Sequence, residues 1–147
     1  MAYHYKLETL LHVRRNFEEQ CMQKLAQEIF ALENHRKYLA ELQQQRVQLV
    51  DSLTEYKKKA MQAAMLSFYV DAIDQKDWQI GTQRNAIAAQ ENVVSTVRME
   101  LLEKVKARKI VERLKEKDFI AYTQNELRKT QNEDDEQAVI RYGKSVY

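Results

Sequence analysis

Apolar residues recur along the first third of this chain in the alternating three-and-four rhythm of a heptad. Leu11, Glu18, Leu25, Leu32, Leu39, Arg46 and Leu53 fall at position a. Leu7, Arg14, Cys21, Glu28, His35, Leu42, Leu49 and Tyr56 fall at position d. Most are apolar or aromatic, and so sustained a pattern points to a coiled coil rather than to one helix of a globular core. A second series runs from Leu66 through Ile73, Ile80, Ile87, Val94 and Leu101 without a miss. Its d row, Tyr69, Lys76, Gln83, Gln90, Val97 and Lys104, is mostly polar. One strong row beside one polar row makes a narrow seam that a single partner helix can cover.

The two series are out of phase by one residue. The slip falls between Tyr56 and Leu66, across "KKKAMQAAML" with Lys57, Lys58 and Lys59 in a row. The fold expected is all-α: two long helices in an antiparallel coiled-coil hairpin, the second helix longer and overhanging. The whole chain, 1–147, reads as one coiled-coil domain, with a first arm over about 5–57, a turn over about 58–64 and a second arm over about 65–142. The rival is one unbroken helix that dimerises in parallel, because Ala60 to Met65 are good helix formers and no glycine marks the turn. With a turn near Ala60, Leu7 faces about Arg113, and residues beyond about Lys115 lack a counterpart in the first arm. At 1.5 Å per residue that overhang extends roughly 40 Å. It contains "NELRKTQNEDDEQAVIRYGK", Asn125 to Lys144, where little but Leu127, Val139 and Ile140 could be buried. Such a segment is expected to fray alone and to order on a partner.

Composition narrows the alternatives. There is no proline, and Gly81 and Gly143 are the only glycines. A compact β or α/β domain needs more turn residues than that, whereas 31% charged residues suit long helices. The net charge of +2, with signs interspersed, lacks the concentrated basic face of a nucleic-acid binder. No apolar run is long enough to span a bilayer. The opening "MAYHYKLETLLHV" carries Lys6 and Glu8 inside its apolar part, unlike a signal peptide. Cys21, the only cysteine, has no internal disulfide partner, which suits the cytosol.

Catalytic patterns are missing. Two isolated glycines make no phosphate cradle. His4, His12 and His35 are not paired at helical spacing, so they read as solvated or seam-flanking histidines rather than metal ligands. Cys21 at d reads as a small buried apolar side chain. The acidic run Glu133 to Glu136 spreads around a helix and reads as a solvated face rather than a cation site. No enzyme activity, cofactor, metal, nucleic acid or small-molecule substrate is expected. The off-seam aromatics are more suggestive. Trp78 falls at f and Phe68 at c, both near the turn, and tryptophan is enriched in binding hot spots, although a lone exposed aromatic is ordinary. Gly81 interrupts a helix at a cost of about 1 kcal/mol, as a bend or as a tolerated residue.

Three stretches together resemble the FliJ family of the flagellar type III export apparatus. "YKLETLLHVRRNFEEQ", Tyr5 to Gln20, is similar to the family's opening of an aromatic, "LETLL" and a charged helix. "LLEKVKARKIVERLKEK", Leu101 to Lys117, resembles its second-arm segment. "DEQAVIR", Asp135 to Arg141, resembles its near-terminal pattern. The resemblance implies a non-enzymatic two-helix coiled coil, similar in shape to the γ stalk of rotary ATPases. Its implied partners are the hexameric export ATPase FliI, the cytoplasmic part of the export gate protein FlhA, and substrate chaperones. It also implies a cytoplasmic location, peripheral at the inner-membrane export apparatus. By analogy with the γ stalk, the end carrying both termini enters the ATPase ring. The residues expected to bind the ATPase are Leu7, Glu8, Asp135, Glu136, Ala138 and Arg141; those expected at the gate or a chaperone are Phe68, Ile73, Trp78 and Ile80. Ala72 and Lys76 depart from the family's gate-facing pattern, where larger apolar residues are usual. Related injectisome stalks share this architecture. The competing reading is a generic coiled-coil scaffold or homodimer spacer.

Overall fold

A computed structural model describes residues 2–60 and 62–146. It contains two helices, α1 over Glu8–Lys57 with 50 residues and α2 over Ala63–Val146 with 84. They pack against each other as an all-α hairpin with the second helix longer, and no strand is present among the described residues. Contacts between α1 and α2 of the same chain dispose of the unbroken parallel helix.

The helix ends follow from local chemistry. The Glu8 amide donates to the Tyr5 carbonyl at 3.2 Å and the Leu11 amide to the Leu7 carbonyl at 3.0 Å. Glu8 lies in the first turn of α1 and Lys57 in the last, each on the side of the helix dipole that favours its charge. The amides of Lys58 and Lys59 donate to the carbonyls of Glu55 and Tyr56 at 3.3 and 3.1 Å, tightening the last turn. The Gln62 carbonyl accepts the amides of Met65 and Leu66. No described residue has a positive φ. The described residues of the connection, 58–60 and 62, therefore ask for nothing that glycine alone supplies; Met61 lies outside the described residues.

Packing divides the chain into two units, Met1–Glu19 with Leu102–Tyr147, and Gln20–Leu101. In the second of these, Cys21, Leu32 and Leu42 of α1 and Ile80, Val94 and Val97 of α2 are buried. Polar residues at seam positions meet polar groups across the seam. The Cys21 thiol lies 3.9 Å from the Val97 carbonyl. The Gln90 amide donates to the Glu28 carboxylate at 2.6 Å and to the Glu28 carbonyl at 3.0 Å. The Gln83 amide reaches the His35 carbonyl at 2.9 Å and the His35 Nδ1 at 3.0 Å. Each step of seven along α1, from Cys21 to Glu28 to His35, is thus answered by a step of seven back along α2. That is the signature of an antiparallel heptad pair. Arg46 pairs with Asp77, and Arg36 with Glu91 at 3.3 Å. Beside the turn, the rings of Tyr56 and Tyr69 lie 5.4 Å apart, and Phe68 meets Tyr69 edge-on at 5.7 Å.

The unit holding both termini has a smaller apolar core, made by Tyr5, Leu11 and Val111 with Tyr3 packed against it. Polar links surround it. Arg108 pairs with Glu18 and, at 2.7 Å, with Glu112. Arg14 donates to the Ala107 carbonyl at 2.6 Å, and Lys115 meets Glu8 at 2.8 Å. Two details differ from the heptad count. Lys104 is exposed and holds its ammonium 5.4 Å from the centroid of the Phe17 ring, while Val105 takes the inner position. Leu7 is 40% exposed, because it precedes the first helical turn and Tyr5, only 6% exposed, packs inward instead.

Candidate partner-binding sites

Pairing near the termini extends further along α2 than the expected limit at Lys115. Residues 2–5 precede the helix and run beside α2 as a short strap. Tyr5 donates its hydroxyl to the Val111 carbonyl at 3.2 Å. Tyr3 donates to the Asp118 carboxylate at 2.8 Å, with its ring 5.1 Å from those of Phe119 and Tyr122. Partial burial, and then the hydrogen bond to Asp118, push the Tyr3 phenol up to about 12. The hydrogen bond from Lys115 holds the Glu8 carboxyl below the usual carboxylate range. Periodicity could not find this strap, because its residues are not helical; the aromatic pair in "YHY" immediately before a helix start was the only signal.

Beyond Tyr122 the picture changes. Every residue from Thr123 to Gly143 is exposed, while α2 continues unbroken through them. Those 21 residues make about 30 Å of helix. Leu127, Val139 and Ile140 are 58%, 70% and 57% exposed. At about 100° per residue, Asp135, Ala138 and Arg141 share one side of this helix. Glu136 turns away from them, so a flat partner surface could not hold all four at once. Leu7 and Glu8 belong to the same unit, with Glu8 engaged by Lys115 and lying 3.8 Å from His12.

The four residues near the turn separate into two pairs. Trp78 is 71% exposed and Phe68 64%, as their off-seam positions require. Ile80 is 6% exposed and Ile73 half-buried. These two face the first helix and give an outside partner little surface. Gly81 is exposed within continuous helix, and a Cβ there would meet nothing within 4 Å. It is a tolerated glycine, and nothing in its packing calls for one. Cys21 is a buried free thiol.

Among the described residues no group of three or more His, Cys, Asp or Glu is placed to hold a metal ion, and no helix is long and apolar enough to cross a membrane. Every buried side-chain nitrogen or oxygen among them has a hydrogen-bond partner. What these surfaces offer is contact: two exposed aromatics in the Gln20–Leu101 unit, and a bare helix in the unit that holds both termini. The family model described as "Flagellar FliJ protein" matches residues 3–146. The chain belongs to the FliJ family. No curated protein matches it, and no solved structure does. Membership in the FliJ family makes it a component of the flagellar protein export apparatus.

Proposed function

We propose that this FliJ-family hairpin acts as a stalk for the hexameric export ATPase, promotes its assembly and couples it to the export gate, while also handling substrate chaperones. Its place would be cytoplasmic, at the inner face of the export apparatus. The observation that carries this reading is the bare helix from Thr123 to Gly143, which adds nothing to the chain's own core. A helix without a packed face is marginal in water, so one kept beyond its coiled coil is there for another protein to cover. We assign the ATPase contact to Asp135, Ala138 and Arg141, with Glu136 on a second side and Leu7 and Glu8 at the N-terminal turn. Arg141 can make a bidentate, charge-assisted contact, and Ala138 lets a partner backbone approach closely. Gate or chaperone contact is assigned to Phe68 and Trp78, with Ile73 and Ile80 holding α2 in place beneath them. The generic-scaffold reading has no comparable support, since it gives the bare helix no task.

Truncation after Asn132 tests the assignment. It removes "EDDEQAVIRYGKSVY" and no buried residue among those described. The melting transition should stay within about 0.5 kcal/mol of the full chain, while capture of the export ATPase should fall sharply. Retained capture by the truncated chain would overturn the assignment.

A further inference from the structure

The tail of α2 has few means of holding itself helical. From Thr123 to Gly143 every residue is exposed, so no packed face supports it. Lys129 and Glu126 make an exposed ion pair at 3.8 Å, and such a pair is worth little in water. The hydroxyls of Thr123 and Thr130 donate to the carbonyls of Phe119 and Glu126 one turn back, a contact that slightly weakens a helix. Asn125, Asn132, Asp134 and Asp135 are weak helix formers. A helix extends cheaply from an ordered turn but starts one at high cost. The order of the tail therefore depends on the turn at its base.

That base is held from the other end of the sequence. Glu8, the first residue of α1, meets α2 at Lys115. Further along α2 the contact is carried by Tyr3, whose hydroxyl donates to Asp118 and whose ring lies 5.1 Å from those of Phe119 and Tyr122. Tyr122 is the last residue before the wholly exposed stretch. Among the described residues no backbone hydrogen bond ties residues 2–4 to α2, so the seating of the strap there rests on this side chain. We propose that Tyr3 is a clasp for the tail: with its ring seated on Phe119 and Tyr122, α2 stays helical into Thr123–Gly143, and with the strap lifted the helix frays back toward Lys115. The two ends of the chain are thereby coupled, although 115 residues separate Tyr3 from Asp118. Coupling of this kind is reciprocal. Whatever holds the tail helical also seats the strap, and whatever takes the strap loosens the tail. For the ATPase contact, where the inference rests on the stalk reading, the seated clasp keeps the tail in the form to be gripped, and a lifted strap lowers apparent affinity by the fraction of tails left unformed. Tyr3 is then a positioning residue, acting on the tail from outside the surface at Asp135, Ala138 and Arg141.

Hydrogen exchange of the full chain, read by mass spectrometry over Glu116–Gly143, tests this without any partner. In the parent chain protection should continue past Tyr122 and decline toward Gly143. Tyr3→Ala should lower protection over Glu116–Thr130 by on the order of tenfold, as the loss of an aromatic cluster warrants, and leave Gln20–Leu101 unchanged. Tyr3→Phe, which keeps the ring contacts and loses only the bond to Asp118, should retain most of the protection. A Tyr3→Ala tail that exchanges like the parent's overturns the proposal. So does a loss spread equally over Gln20–Leu101, which would make Tyr3 a general stabiliser, or a Tyr3→Phe tail that exchanges as fast as that of Tyr3→Ala. Capture of the export ATPase is a separate readout: capture undiminished by a frayed tail would count against the stalk reading and leave the clasp standing.

Discussion

Leu10 and Leu11 are neighbours of one residue type, and the hairpin treats them oppositely. Leu11 is 0% exposed in the small core with Tyr5 and Val111; Leu10 is 38% exposed on the flank. Leu→Ala at a fully buried site costs about 2–5 kcal/mol, from lost transfer energy plus the cavity left behind. A two-helix seam is open at its sides and can close partly on the gap, so Leu11→Ala should fall near the lower end, about 2–3 kcal/mol. Leu10→Ala loses only part of a side chain's contacts and should cost less than about 1 kcal/mol. Urea unfolding followed by far-ultraviolet circular dichroism gives both numbers. Hydrogen exchange adds the location: in Leu11→Ala, protection should drop first around Val111, whose side chain loses its neighbour. Equal destabilisation by the two variants would refute the heptad phase of α1 and, with it, the packing of the terminal unit.

Other perturbations test other parts of the chain. Ile80→Asp places an unpaired charge at a site only 6% exposed and should cost several kcal/mol, unfolding much of the Gln20–Leu101 unit, as a chemical melt would report. Gly81→Ala adds a methyl group to open space in a continuous helix and should stabilise the chain by about 0.5–1 kcal/mol in the same melt. Tyr3 has its phenol raised to about 12 from an ordinary value near 10. A raised folded value means that its contribution is complete below the unfolded value and disappears as pH rises through the folded one. Tyr69 is also raised, by partial burial and then by its neighbour Tyr56, so ultraviolet titration should show a late phase to which both contribute, with the Tyr3 strap loosening over that alkaline window; Tyr3→Phe should shrink the late phase and leave the Tyr69 part.

The hairpin was legible in the sequence because heptads are redundant: a phase can be read from Leu11, Leu25, Leu32 and Leu42 even where Glu18 or His35 interrupts it. The interruptions turned out to be ordered, since Glu18 meets Arg108, Glu28 meets Gln90 and His35 meets Gln83. A single helix gives no hint of which polar seam residue will face which. What the count missed lies where the chain is not regular helix or where the seam drifts. Tyr3 and Tyr5 pack from a strap that precedes the helix, and Val105 replaces Lys104 because a row spaced by seven drifts against a helix of 3.6 residues per turn. The surface near the turn was read less well than the seam. Ile73 and Ile80 cannot serve fully as both seam and surface, and burial decides for the seam. Phe68 and Trp78 remain outside because c and f positions point to water in a two-helix coil.

Polar layers in such a seam set the register, and here the register fixes how much of α2 is bare. An apolar row alone does not do this. A slip of seven residues would still lay leucine against valine and isoleucine, at little cost in buried area. In the terminal unit, the same slip would carry Arg108 from Glu18 to Leu11 or Leu25, leaving a guanidinium against an aliphatic side chain. It would also take Asp118 from Tyr3 and the Val111 carbonyl from Tyr5. Several half-buried polar groups would lose their partners together, each at about 1–3 kcal/mol. Those contacts add little net stability in place, because each replaces a bond to water. Their effect is to make every other register costly. The bare helix therefore begins just after Tyr122 in every molecule, with Leu127, Asp135, Ala138 and Arg141 presented at fixed distances from the strap. A partner that measures the tail from the hairpin, as the proposed ATPase contact would, then always meets the same stretch of helix.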